Sequence, residues 1–526
     1  MKRVDSDNGK IKWKALSSRV LGESEERKPT KVGLKLARRF GNRYAYAIIL
    51  IGTLTKALTS VGQTAFLGGV LDYIEADLGV KRSTTSIHIF CETDRFAFAL
   101  AFAFCAIIGR SVLYSSATLL SASTIPGLGW AMDRLGLRWA GMLNATLMGL
   151  VCIVLGSVVS EPVLLTVFFY LLRFLGQGGM QLIGTNLISN WWIQKRGLMQ
   201  GISGAGVSLT KTGLLPVLAR VSCENIGWRL TFAAIGTFVL VFFVPLCSVF
   251  FLETPEMYSL RADAARGASG DDDAADRPSK ERELEGKTLR EALRTLDFYA
   301  VTLGCSVWTF NATGVFFHLI SIIRRDLHAD TKVMDSVVPT VYLTCAITSS
   351  VMNLVIGYLF DRVNPKWIIS AALVLQGSSI FLFSVNRSVP VTILSAFVFG
   401  VSSGSMNNLY GIVHAYLFGR KHLGKISGLG YSSMVVGSAL GPLPLGLVQS
   451  NNLKQQAAAM YVHCALSIVG AFFALICKMK PLVPRNKAGK GTATPPREDV
   501  EMQHLLKEIE EEADDSGDDD GEWEEE

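Results

Sequence analysis

The sequence predicts an all-α polytopic membrane protein in which twelve transmembrane helices form two pseudo-symmetric six-helix bundles. Its 526 residues are 49 % hydrophobic and only 18 % charged, and the apolar residues come in blocks of about 20, the length that crosses a bilayer as a helix. A short pattern occurs twice, as Gly129-Trp-Ala-Met-Asp133-Arg134 and Gly357-Tyr-Leu-Phe-Asp361-Arg362. Each copy closes an apolar block and is followed at the same offset by a base and a Trp, Arg138-Trp139 and Lys366-Trp367. The copies stand 228 residues apart, and the offset barely drifts downstream: Gly178 and Gly404 are 226 apart, and the pairs Gly197/Gly424 and Gly201/Gly428 are both 227 apart. Two similar helical halves in one apolar chain is the layout of secondary transporters.

In chain order, residues 1–43 form a basic arm, too polar for the apolar core of a signal peptide. Spans follow near 45–69, 112–132, 140–159, 163–188, 198–219 and 231–252 in the first half, which covers 44–252. The second half, 298–479, carries spans near 298–321, 336–358, 367–385, 391–416, 429–448 and 457–478. Residues 253–297 link the halves, and 259–287, rich in Ala, Asp, Gly and charge, read as disordered. The tail, 480–526, reads as disordered too; from Glu498 to Glu526 it holds sixteen carboxylates and one Lys, and Glu501-Met-Gln-His-Leu505-Leu506 fits an acidic dileucine sorting signal. Outside that tail, Lys and Arg crowd the first 43 residues, Arg134 and Arg138, Lys195 and Arg196, Arg362 and Lys366, Arg420 to Lys425, and Lys478 to Lys490. With twelve spans these all fall on one face, so both termini are expected in the cytoplasm. The bases orient the chain in the bilayer; nucleic acid is not an expected partner, and a monomer is. The expected location is the plasma membrane or an endomembrane such as that of a vacuole.

The repeat fails in one place. From Ala45 to Gly129 is 84 residues, whereas from Tyr299 to Gly357 is 58, and the surplus of 26 matches residues 87–111. That stretch has an apolar core of only 14 residues, too short to span, and a thirteenth crossing would put Asp133 and Arg134 outside. It is expected to extend the second helix, to lie at the outer face, or to be a gene-model artefact such as a retained intron.

Ionisable groups inside spans cost about 3 kcal/mol each on insertion scales, so they are functional candidates. Here the set is one-sided: Lys56 lies in the first span, Arg173 in the fourth and Lys211 in the fifth, while Asp and Glu occur only at span ends. Cations in a membrane cavity call for an anionic ligand held by charge-assisted hydrogen bonds. His318, near the outer end of the seventh span, titrates near neutrality and is a candidate carrier of a coupling proton. The nine cysteines have no metal-ligand spacing and read as small packing residues; no metal or other cofactor is expected.

At this point the residues resemble the major facilitator superfamily (MFS) over almost the whole chain. Gly129 to Arg138 is similar to its G-x-x-x-D-R-x-G-x-R loop signature between the second and third spans, and Arg173-Phe-Leu-Gly-Gln-Gly178 to its fourth-span pattern. Gly227-Trp228-Arg229, Glu253-Thr-Pro-Glu256 and Tyr416 to Gly428 resemble the branch containing monocarboxylate transporters and oxalate/formate antiporters. The resemblance implies the MFS fold and a cavity lined mainly by the first, fourth, seventh and tenth spans. It therefore selects Lys56, Gln63, Arg173, Gln177, Asn311, Asn407 and Tyr410 as substrate-binding candidates, with Lys211 and His318 as further substrate or coupling candidates. It also makes Gly129, Asp133, Arg134, Arg138, Asp361 and Arg362 a conformational gate. On physical grounds Gly129 permits close helix approach, Asp133 is placed to cap or pair across the gap, and Arg134 and Arg138 are placed to face lipid headgroups.

Gly419-Arg-Lys-His-Leu-Gly424-Lys425-Ile426 has the frame of a phosphate loop, but Ile426 stands where Mg²⁺ needs a hydroxyl and a membrane helix precedes it. Enzymatic activity is not expected. The reading is a secondary active transporter of a small organic mono- or dicarboxylate, by proton symport or anion exchange. A transporter-like receptor without flux, and a carrier of a neutral or cationic solute, stay open.

Overall fold

The computed structural model describes residues 29–63, five positions between 66 and 77, then 110–158, 162–258, 260, 262–264, 286–327, 331–385, 388–407, 409–446 and 453–480. Apart from Arg110 and Ser111, which open the second helix, the segment 87–111 lies outside the described residues, as do the tail beyond Lys480 and most of 259–287.

Before the bundle, Thr30 caps a short amphipathic helix, Lys31–Phe40, by accepting from the Gly33 N–H at 3.1 Å. It buries Leu34 and Ala37 and turns its bases outward. The first span is Tyr44–Ala57, tightened into a 3-10 turn over Leu58–Gly62. At α and 3-10 rises these 19 residues cover about 31 Å, a full bilayer core, and the backbone turns extended at Gln63. Beyond that break the described positions Phe66, Val70, Tyr73, Ile74 and Asp77 are again helical, and Phe66, Val70 and Ile74 are buried.

The remaining spans follow the expected order. The second and third are Arg110–Leu135 and Leu137–Val158, separated at Gly136, whose φ of 90° is a conformation that favours glycine. The fourth runs as Pro162–Leu172, a π-helical stretch Arg173–Met180, and Gln181–Trp191. The fifth starts at Arg196–Ser208, passes a second π stretch, Leu209–Leu214, and continues into the helix Leu215–Phe238. That helix breaks at Gly227 (φ 80°), where the fifth span hands over to the sixth. The second half comprises Leu296–Leu327, Thr331–Phe360, Pro365–Val385, Val389–Met406 with Leu409–Phe418, Leu423–Leu440 and Leu453–Ile476. Seven of the helical stretches are, over the described residues, individually long and apolar enough to cross a bilayer. The fifth and eleventh are rich in Gly and Ser, and that composition suits helices that must meet the backbone of a helix in the other half.

Lipid-facing side chains such as Leu50, Phe242, Ile468 and Phe472 are exposed on the outer surface. Inside, one buried apolar cluster runs through the first half and across to that end of the second half where the two loop signatures lie, which we term the signature face. A separate cluster, including Val315, Leu319, Val341, Phe383, Phe399 and Met460, fills the second half at the opposite end. The halves are therefore welded at the signature face.

Candidate functional site

The weld is built from the repeated pattern. Asp133, at the end of the second span, accepts from the Gly424 and Lys425 N–H groups at 2.8 and 2.9 Å, capping the eleventh span of the other half. Asp361, its counterpart at the end of the eighth, accepts from Gly197 and Leu198 N–H at 2.7 and 2.8 Å, capping the fifth span of the first half. Carboxylates favour helix N-termini because orphan N–H groups and the helix dipole converge there. Glycines make the approach possible. A Cβ on Gly357 would sit 2.7 Å from the Gly197 carbonyl and 2.9 Å from the Gly201 Cα, and one on Gly129 would overlap the Gly424 carbonyl. The Gly197/Gly424 and Gly201/Gly428 pairs thus face the two loop signatures, each across the divide between halves. The frame resembling a phosphate loop has its Gly424 and Lys425 amides occupied by Asp133.

Around these latches the halves are clasped again. Arg420 pairs with Glu256 at 2.8 Å and also donates to the Asn190 carbonyl, and Asn186 donates to Ser427 at 3.0 Å. Residues 262–264 of the linker, assigned by composition to a disordered stretch, form a 3-10 turn. From it Asp263 accepts from the Ile193, Gln194 and Lys195 amides. Arg134 stacks over Trp130 at 4.4 Å and Arg362 over Tyr358 at 3.6 Å. Arg138 departs from the expectation of a headgroup contact. Its guanidinium donates to the Ser248 carbonyl of the sixth span, so it holds the third span to the sixth within one half.

Deeper, the three cations gather around the first span. Lys56 is fully buried and donates to Gln200 Oε1 at 3.1 Å. Gln200 in turn donates to the Thr185 carbonyl and the Ser189 hydroxyl, fixing which way its oxygen points. One turn beyond Lys56, Ser60 donates to the Lys211 carbonyl at 3.2 Å, which sets the second π stretch against this part of the first span. Gly62 packs on the Leu172 carbonyl and the Gln177 amide, beside Arg173. Arg173 is 3 % exposed and donates to Gln177 Oε1 at 2.7 Å. Both Arg173 and Lys211 stand in π stretches, where one extra residue per turn re-aims side chains and loosens the backbone ladder. Asn144 of the third span donates to the Leu175 carbonyl inside the first of these stretches at 2.9 Å.

From Arg173 a polar path crosses between halves. Tyr431 of the eleventh span donates to the Gln177 carbonyl at 2.9 Å and packs its ring on Tyr410, centroids 5.0 Å apart. Tyr410 shares a 3.4 Å hydrogen bond with Thr185. Of the residues selected from sequence, Lys56, Arg173, Gln177, Tyr410 and Lys211 are brought into one connected region. The others make different contacts. Gln63 sits half-buried at the extended break in the first span, next to the Gly62 that packs on Gln177. Asn407 donates to Ser349 of the eighth span at 3.3 Å.

Asn311 faces the interior of the second half, bonded to Ser467 at 2.7 Å and to His463 at 2.8 Å. Its place on a cavity-lining helix does not put it on the cavity side, since a helix has several faces. His318 contacts the Pro442 carbonyl at 3.1 Å. Sequence reasoning missed Gln200, Thr185, Asn144, Tyr431 and His463. A polar residue in an apolar span was the available signal, and many such residues share it.

Two welded six-helix bundles, reciprocal latches and a polar centre deep in the membrane are the architecture of a membrane transporter. The Major Facilitator Superfamily profile matches residues 53–442 and, in a second placement, 309–509. The chain belongs to the Major Facilitator Superfamily and is an MFS transporter.

Among solved structures it is similar to the human organic anion transporter MFSD10 (TETRAN), with a TM-score of 0.56 and 16 % identity over 82 % of this chain and 99 % of that one. It is also similar to the proton:xylose symporter XylE bound to 6-bromo-6-deoxy-D-glucose, with a TM-score of 0.60 and 15 % identity over 84 % and 98 %. At those identities the likeness is one of fold. In sequence it is 24 % identical over 349 residues to a 38 kDa protein of the 23S RNA operon of Thermoproteus tenax, covering 65 % of this chain and 79 % of that protein.

Proposed function

We propose that this transporter moves a small organic anion, a mono- or dicarboxylate, by alternating access of its two halves, as a proton symporter or an anion exchanger. The observation that carries the reading is the gathering of Lys56, Lys211 and Arg173 around one stretch of the first span. Burying like charges together is costly, and a carboxylate entering between them repays that cost through charge-assisted hydrogen bonds. Tyr410, Tyr431 and Gln177 supply the neutral donors and aromatic surface that orient such a ligand.

The branch that includes monocarboxylate transporters and oxalate/formate antiporters fits the residues that make contacts here. Trp228 and Arg229 meet Asp77 at 3.1 and 3.2 Å, and Glu256 meets Arg420. The signature face is cytoplasmic in this reading, with both termini on that side, in the plasma membrane or a vacuole-like endomembrane, and the working unit is a monomer.

Proteoliposomes containing the purified protein test the proposal. They take up labelled small carboxylates; Lys56→Ala and Arg173→Ala raise KM at least tenfold, and runs at two pH values separate symport from exchange. Uptake of a neutral sugar that is indifferent to both substitutions would refute the anion reading, and absence of any flux would favour a receptor.

A further inference from the structure

At the signature face a groove of about 430 Å³ opens beside the latch, between the short helix Leu289–Ala292 of the linker and the start of the eleventh span. Its surface is mainly apolar, and Leu289 and Leu293 line it together with Thr288, Arg290, His422 and Lys425. Lys421 and Lys287 stand beside it, with Lys421 against Gly286 and the Lys287 N–H donating to the Phe418 carbonyl at 2.9 Å. Glu291, the one nearby carboxylate of the linker helix, is engaged in a capping box with Thr288.

The last described residues leave the bundle at this same face. The Met479 N–H donates to Asp297 at 3.2 Å, and Asn364 donates to the Met479 carbonyl at 3.2 Å. Twenty residues beyond Lys480, the sequence Glu501-Met-Gln-His-Leu-Leu-Lys-Glu-Ile-Glu-Glu-Glu512 begins. Twenty residues reach up to about 65 Å when extended, so span is no obstacle. In it Met502, Leu505, Leu506 and Ile509 recur at i, i+3, i+4 and i+7, the stripe of an amphipathic helix. Glu501, Glu508 and Glu510 to Glu512 surround that stripe. An apolar groove with basic side chains among and beside its lining is the complement of an apolar stripe flanked by carboxylates, the helix-in-groove mode of recognition.

We propose that residues 501–512 of this chain dock in the groove between Leu289 and Lys425. Lys425 is also a latch residue, its N–H bonded to Asp133, so a docked tail braces the start of the eleventh span in the latched position. It also covers Leu505 and Leu506, taking the dileucine pair out of reach while the latch is shut.

The test uses full-length protein in detergent, with a photo-crosslinking residue replacing Leu289 and the adduct identified by mass spectrometry. The expected adduct lies within 501–512. Its yield falls at least tenfold in Leu505→Asp/Leu506→Asp, a change outside the bundle that leaves folding intact, and likewise in Arg290→Glu/Lys425→Glu. Raising salt from 0.1 to 0.5 M lowers the yield, because that shortens the screening length around the basic side chains. An adduct to another segment or to added anionic lipid, no adduct at all, or a yield indifferent to the Leu505/Leu506 pair overturns the proposal.

Discussion

Replacing Asp133 by Asn separates the latch from the substrate site most cleanly. The carboxylate accepts two amide hydrogens at 2.8 and 2.9 Å from the first turn of the eleventh span. Asn keeps one acceptor oxygen but turns an NH2 group toward the second amide, and it removes the charge that favours a helix N-terminus. A hydrogen bond to a charged group contributes about 1.5–3 kcal/mol, and the helix-terminus term about 0.3–1 kcal/mol. Since Asp133 is half-buried, we take the lower end, about 2 kcal/mol in all. That corresponds to about a 30-fold shift of the ratio of open to latched states.

The readout is the distance between spin labels at Trp139 and Trp367, exposed positions on the two halves, in protein whose native cysteines have been replaced. Asp133→Asn broadens the distribution toward longer separations, and Asp361→Asn does the same. The double variant shifts the ratio by roughly the product, since distant sites add. Transport rate changes while KM stays within a factor of about two, because Asp133 lies at the signature face and the polar centre lies deeper. An unmoved distance distribution, or a KM change as large as that of Arg173→Ala, would refute the assignment of Asp133 to the latch.

Gly357→Val should hold the halves apart, because a Cβ there meets the Gly197 carbonyl at 2.7 Å; the same spin-label distance lengthens, while Gly227→Ala, at a backbone φ of 80° with open space around it, strains a turn and lowers thermal stability instead. Arg420→Ala removes an ion pair whose side chains are 8 % and 27 % exposed and leaves Glu256 half-buried without its partner; a loss of about 1–3 kcal/mol appears as a lower Tm, partly rescued by Glu256→Gln. His422 is held below the usual imidazole range by burial first and by Lys425 and Lys421 next. A base whose folded pKa is depressed is neutral in the fold while the unfolded chain takes up its proton, so stability is lost as pH falls through about 6.5. Thermal unfolding from pH 8 to pH 5 should therefore fall less steeply in His422→Gln.

The span order was legible because membrane crossing imposes one strong constraint, about 20 apolar residues with satisfied backbones. The latch was legible in outline, since Asp133 and Asp361 repeat with their glycines. Its partners were not obvious, although the 227-residue offset of Gly197/Gly424 marks them: the contact is between a side chain of one half and amides of the other, and amides carry no sequence signature. The π stretches around Arg173 and Lys211 were invisible for a similar reason, since hydrogen-bond register is a backbone property; Asn144 and Gly62 pack on the first of them. Asn311 was assigned to the cavity by its helix alone, and its face was decided by Ser467 and His463, 156 and 152 residues away.

The reciprocal latches have a geometric meaning of their own. Asp133 reaches 424 and 425, and Asp361 reaches 197 and 198; shifted by the repeat offset, these are one contact made twice. That is the isologous pattern of a two-fold dimer, in which patch i meets j and j meets i. The chain therefore carries a dimer interface inside a single polypeptide, and fusion releases the two copies from being identical. The latch has stayed symmetric. The centre has not: Phe399 stands where the 226-residue offset carries Arg173, so the charge that Arg173 brings to the centre belongs to the first copy alone.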